Sequence, residues 1–123
     1  MPPARRVWRV HNVTHGQDLA GAADLARGLW QRARGLLGRR GLARGEGLII
    51  QPCDSVHTLG MRFPLDALYV DGGPEGGKVL RVCRLPPWRV GPWVRGARTV
   101  VELPAGAAGA TRPGDELRWE EAP

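Results

Sequence analysis

Glycine and proline cut this sequence into pieces too short for long helices. Together they fill 29 of its 123 positions, roughly twice average usage. Uninterrupted apolar runs stop at about four residues, Leu48–Ile50 and Ala67–Val70 being typical. A composition so rich in breakers borders on disorder, yet 42% of the residues are apolar and they are spread along the whole chain. The expectation is one domain, residues 1–123, made of short elements. A folded chain of this size buries roughly two-thirds of the surface its unfolded form exposes, enough for one core.

A membrane span needs about 20 apolar residues, and a secretory leader an apolar run of about 7 to 15. The amino terminus, Met1 to Arg6, supplies only the charge of a leader. A soluble, cytoplasmic protein without a membrane partner is therefore expected, as a monomer or weak dimer. Cys53 and Cys83 are too few and too far apart for a zinc quartet or a redox pair. Small buried side chains are the expectation for both, with a bridge between them as the alternative.

The periodicities place the elements. Val7–Val13 mixes β-branched and aromatic residues and runs into a polar turn, as a strand does, and a second short strand can follow it. From Asp24 the period changes: Leu25, Leu29, Ala33, Leu36 and Leu37 share one face of a helix, with Asp24 as N-cap and Gly38 or Gly41 as the stop. Gly28 and Gly35 inside that helix predict close packing against its backbone. Strands are then expected over 47–51, 66–70, 78–84, 99–103 and 116–120. A long mobile tip at 72–77 joins the strands 66–70 and 78–84 into a hairpin. One helical turn is expected at 105–110. Short strands at intervals of about ten residues, joined mostly by turns, predict a mainly β fold: a small antiparallel sandwich or barrel with one covering α-helix.

The net charge of +6 is regional. Residues 1–44 carry nine arginines against Asp18 and Asp24, whereas the rest of the chain is close to neutral. Such a patch attracts phosphates. However, arginine outnumbers lysine 17 to one, a bias that codon usage also produces, and only Trp8 and Trp30 interleave these arginines. Nucleic acid is therefore an alternative partner, with Arg27, Arg34, Arg39 and Arg40 as its contacts.

Residues 31–39, QRARGLLGR, resemble the R-x-x-G-L-x-x-R signature of domain-of-unknown-function family 192. Residues 53–71, CDSVHTLGMRFPLDALYVD, look like that family's central block. LPPWR at 85–89, VELPAG at 101–106 and Gly114-Asp115 resemble its later blocks, in order, so the resemblance spans about residues 25–118. It implies a β-rich domain and supplies no reaction. Many members resemble F-W-M-x-N-T where this chain has His57-Thr58, so it looks like a His-Thr branch. A family-wide catalytic or metal-ligating histidine does not follow from that pattern.

The chemistry-bearing residues are few. His11, His15 and His57 have no metal-ligand spacing, so neither metal nor cofactor is expected. Phosphate-loop, dinucleotide and nucleophile-elbow motifs are lacking, and the sole serine, Ser55, has no recognisable triad. The candidate ligand-binding residues are His57, Thr58, Asp66, Arg32 and Glu102. His57 and Thr58 would line the mouth of the barrel. Asp66, at the start of an apolar strand, would cap backbone N–H groups, pair with Arg32 or Arg62, or face a pocket. Glu102 shares a strand face with Val100 and would face solvent, pair with a guanidinium or belong to a site; Arg32 is suited to bind it or Asp66 through its planar fork. The leading reading is a small binding module for a polar or anionic ligand. An acid/base enzyme using His57 with Asp66 or Glu102 is the alternative from another class, and the catalytic residues are unassigned.

Overall fold

The computed structural model describes residues 6–36 and 38–123, without the side chains at positions 29, 30, 34 and 35. Seven strands and one helix follow one another: β1 (Trp8–Asn12), β2 (Gln17–Arg27), α1 (Gly28–Leu36), β3 (Glu46–Gln51), β4 (Leu65–Val70), β5 (Gly76–Leu85), β6 (Thr99–Pro104) and β7 (Glu116–Glu121). The strands close a barrel in the order β1-β2-β3-β6-β4-β5-β7, with β7 pairing back onto β1 from Trp8↔Glu121 to Asn12↔Leu117. A closed barrel with one helix is the expected class.

One pairing departs from the antiparallel pattern. β2 and β3 run parallel, from Ala22↔Glu46 to Arg27↔Gln51, and α1 lies in the crossover that parallel neighbours require. The same ladder explains why the helix is shorter than its periodicity predicted. Asp24, Leu25 and Ala26 lie in β2 opposite Leu48, Ile49 and Ile50, so Asp24 is not an N-cap. Tertiary pairing has overridden helical spacing there.

Gly28 is also not a close-packing site. Its φ is +80°, and a Cβ placed there would meet nothing within 4 Å; it is glycine because the chain turns from strand to helix through the left-handed region. The surroundings of Gly35, and Leu37 altogether, lie outside the described residues.

Two apolar layers result. Residues from all seven strands, among them Val10, Leu19, Ile49, Leu68, Val79, Val101 and Leu117, fill the barrel interior. On the outer face of β3, β4 and β6, Leu48, Ile50, Ala67, Tyr69 and Val100 pack against Leu36 of α1 and against Val56, Met61 and Phe63 of the β3–β4 connection. Alternation along β6 puts Val101 and Leu103 inside and Val100 and Glu102 outside. Cys53 and Cys83 belong to this outer layer and are both free thiols.

The β4–β5 tip is not the mobile loop expected. Gly76 and Gly77 already belong to β5. Gln51 and Thr99 donate side-chain hydrogen bonds to the carbonyls of Gly73 and Gly72, and the Trp119 indole N–H donates to Pro74 at 2.9 Å. The glycines permit a backbone approach so close that a Cβ on Gly72 would lie 1.7 Å from the Gly76 carbonyl oxygen. Residues 105–110 form successive turns in place of a helix, each closed by a bond three residues long, such as Ala107 N–H to the Pro104 carbonyl.

Candidate functional site

Three of the five candidate residues meet in the outer layer. The Arg32 guanidinium spans the Glu102 carboxylate two-pronged, Nε to Oε1 and Nη2 to Oε2, the latter at 2.9 Å. Nη2 also donates to the main-chain carbonyl of His57 and lies 3.8 Å from the Met61 sulfur. Glu102 is wholly buried and Arg32 nearly so. Burial pushes the Glu102 carboxyl up from its ordinary range, and the Arg32 hydrogen bonds and charge oppose that push. These two groups neutralise one another within an apolar layer. They show no open coordination to offer a ligand.

His57 and Thr58 form one side of a short ribbon whose other side is the segment after β5. His57 pairs with Val90, flanked by hydrogen bonds from Thr58 N–H to the Arg89 carbonyl and from Gly91 N–H to the Val56 carbonyl. That makes His57 and Val90 a non-hydrogen-bonded pair, with side chains close together on one face. Alternation turns Val56 and Thr58 inward, where both are buried. The Thr58 hydroxyl donates to the Pro86 carbonyl and accepts the Arg89 N–H at 2.9 Å, while its own carbonyl accepts the Trp88 N–H at 2.9 Å. Thr58 therefore clasps the 86–89 turn, and is no lining residue of an open mouth.

The His57 ring is half-buried and outward. Its Nδ1 accepts the Leu59 N–H at 3.2 Å, and burial, then the Arg32 charge, hold its pKa below the usual 6.5. Among the described residues no hydrogen bond or ion pair joins this ring to Asp66 or Glu102.

Asp66 stands apart from that group. Its carboxylate accepts the N–H groups of Gly106 and Ala108 at 2.9 and 3.2 Å, and pairs with Arg84 Nε at 3.0 Å. It caps the turn after β6, and its partner is Arg84 in place of Arg32 or Arg62. Of the four arginines expected as nucleic-acid contacts, Arg39 is bound to Glu46 at 3.0 and 3.1 Å. Arg27 and Arg40 are exposed, and the Arg34 side chain lies outside the description.

Two concavities lie elsewhere. A cleft of about 630 Å³ is lined by Trp8, His11 and Val13 of the β1 region, Pro74 and Glu75 of the β4–β5 tip, and Arg118 to Glu121 of β7. A smaller hollow of about 170 Å³ adjoins it, sharing Glu75 and Arg118. Neither is lined by any of the five candidates. β1–β7 pairing sets His11 directly opposite Arg118 and Arg9 opposite Glu120. His11 Nδ1 contacts Asp18. Glu121 holds Arg6 through two bonds of 2.8 Å, and the Arg6 guanidinium sits 5.2 Å from the Trp8 ring centroid. The side chains of Glu75, Arg118 and Glu120 make no hydrogen bond or ion pair among the described residues.

Residues 10–119 match the model of a protein family described as DUF192, "Uncharacterized ACR". The chain belongs to the DUF192 family. Two solved structures share the fold. One is a candidate transcription regulator, by its description, from Sinorhizobium meliloti 1021, at 21% identity over 98% of this chain and 97% of that one, with a TM-score of 0.65. The other is a protein of unknown function from Novosphingobium aromaticivorans DSM 12444, at 24% identity over 90% and 82%, with a TM-score of 0.69. A comparison with curated proteins yields no match.

In this DUF192 protein the family-like segments hold one another. Arg32 of the first reaches Glu102 of the VELPAG segment and His57 of the central block; Thr58 clasps LPPWR; Asp66 caps the VELPAG turn. The cleft residues escaped sequence reading because their assembly depends on β1–β7 register, which no local pattern encodes. The one available signal was the pair of tryptophans, Trp8 and Trp119, in the two terminal strands.

Proposed function

We propose that this DUF192 protein is a binding module that holds a small polar ligand in the cleft between β1, β7 and the β4–β5 tip. The observation that carries this reading is the cleft itself. Its volume of about 630 Å³ falls in the range of small-molecule sites, roughly 300–1,000 Å³, and it combines indole surface with a few charged groups, as such sites do. Arg118 offers a fork for an acidic group, while Glu75 and Glu120 offer acceptors for a cationic one. These charges favour a ligand of both signs over a purely anionic one, with its apolar part against the half-buried Trp8. His57, Thr58, Asp66, Arg32 and Glu102 are the framework of the fold in this reading. No observation favours the acid/base alternative.

Thermal-shift screening against a panel of small zwitterions, cations and anions tests it, since a ligand of the native state raises Tm. A stabilising zwitterion whose effect disappears in Arg118→Gln and Glu120→Gln supports the reading. A panel without effect, or a stabilisation those variants leave intact, defeats it.

A further inference from the structure

The 53–59/88–95 ribbon presents an unusual surface. Among the described residues the exposed large apolar side chains are Val13 and a group on this ribbon: Leu59 at 42%, Trp88 at 64%, Val90 at 73% and Trp93 at 65% of their full accessibility. Arginines flank them along the chain. Residues 53–64 and 86–98 contain Arg62, Arg89, Arg95 and Arg98, all exposed, and Asp54 as the only acid. That aspartate accepts the Trp93 indole N–H at 2.8 Å.

The framework beneath holds this surface in place. Trp88 has φ +62°, a conformation that an aromatic residue adopts only when its surroundings impose it. Thr58 imposes it, through its bonds to Trp88 N–H, Arg89 N–H and the Pro86 carbonyl, and Arg32 fixes the neighbouring His57 carbonyl. Buried polar bonds are thus committed to keeping a tryptophan outward.

We infer that this ribbon is a docking surface for single-stranded nucleic acid, in which bases stack on Trp88 and Trp93 and phosphates meet the flanking arginines. Charge complementarity requires an anionic partner. Interleaved arginines and aromatic faces suit an unpaired strand, because every base has a face to stack and every linkage a phosphate to neutralise. An anionic membrane surface fits less well: interfacial indoles use a free N–H toward the wet side, and the Trp93 N–H is already taken by Asp54. Of the arginines expected to carry such contacts, Arg39 is already bound to Glu46. The inference does not depend on the small-ligand cleft, which lies on other strands.

The test is fluorescence anisotropy of the full chain with a labelled oligothymidylate of about ten nucleotides, with anionic vesicles of phosphatidylglycerol and phosphatidylcholine in parallel. The expected result is binding to the oligonucleotide that weakens steeply with salt. Trp88→Ala and Trp93→Ala should each weaken it by about tenfold or more, while Trp88→Phe, which keeps a stacking face, retains most of the affinity. Because the whole protein is basic, two charge-matched pairs separate site from background. Arg89→Gln with Arg95→Gln should reduce affinity and the salt slope, and Arg40→Gln with Arg44→Gln should change both little. Absence of binding at low salt, indifference to both tryptophan variants, equal loss from the two arginine pairs, or binding to vesicles alone would each overturn the inference. Unchanged Tm and far-ultraviolet dichroism certify that each variant is folded.

Discussion

The carboxylate of Glu102 and the guanidinium of Arg32 face each other two-pronged inside an apolar layer, joining β6 to α1 across 70 residues of chain. Removing one member leaves the other charged and buried. Arg32→Ala or Glu102→Ala should each cost about 3–5 kcal/mol in urea unfolding. The joint replacement Arg32→Met with Glu102→Leu should recover most of that loss, because an apolar pair of similar volume needs no desolvation. A double variant as unstable as the singles would show that the His57 carbonyl, which also accepts from Arg32, matters more than the ion pair.

His57 should titrate below 6.5 in the folded protein, since burial and then Arg32 disfavour its charged form. The stability linked to this group is fully present above the unfolded value and is lost as pH falls from there through the depressed folded value. Nuclear magnetic resonance of the ring checks the titration, together with a neutral tautomer protonated on Nε2 and accepting at Nδ1. His57→Gln should flatten the corresponding part of the stability curve.

Asp66 and Arg84 form an ion pair of unequal members. The aspartate side chain is 4% exposed and the arginine 62%. Arg84→Ala should therefore cost less than about 1 kcal/mol, as for exposed pairs. Asp66→Ala strands the N–H groups of Gly106 and Ala108 and should cost about 2–4 kcal/mol. Amide exchange at those two positions should accelerate in Asp66→Ala and remain slow in Arg84→Ala.

The two thiols should react at different rates. Burial pushes the Cys53 thiol up to about 11 and raises that of Cys83 as well, while Cys53 is buried and Cys83 only partly so. With a thiolate-directed reagent in native conditions, Cys83 should be modified first and Cys53 only on unfolding. Equal native rates would contradict the burial of Cys53.

Where neighbours along the chain decide the conformation, the sequence is readable. Val100–Glu102 alternates as β6 does, and the place of Glu102 on the Val100 face follows from that alone. The breaker-bounded runs 47–51 and 66–70 are β3 and β4 to within a residue. Where a distant strand decides, local spacing misleads: Asp24 to Ala26 keep a helical period but pair with Leu48 to Ile50. The tie between Asp66 and Arg84 needs the β4–β5 register, which sets the two directly opposite, and the clasp of Thr58 on Trp88 needs two connections to meet. The β1–β7 closure that builds the cleft joins the ends of the chain and has no local signature at all.

Gly28 and Gly91 are glycine for opposite reasons, and substitution separates them. At Gly28, φ is +80° and the space beside Cα is open. Alanine should cost about 1–2 kcal/mol from left-handed strain alone, and asparagine, which tolerates that region better, should cost less. At Gly91 φ is not in the left-handed region, but a Cβ would lie 2.8 Å from the Val56 carbonyl oxygen and 3.0 Å from the Tyr69 hydroxyl. Overpacking there should cost about 1–3 kcal/mol, and asparagine, being larger, should cost more than alanine. Urea midpoints for Gly28→Ala, Gly28→Asn, Gly91→Ala and Gly91→Asn measure the crossing of these two orders. The same ranking at both sites would mean that conformation and space are not the separate constraints the barrel imposes.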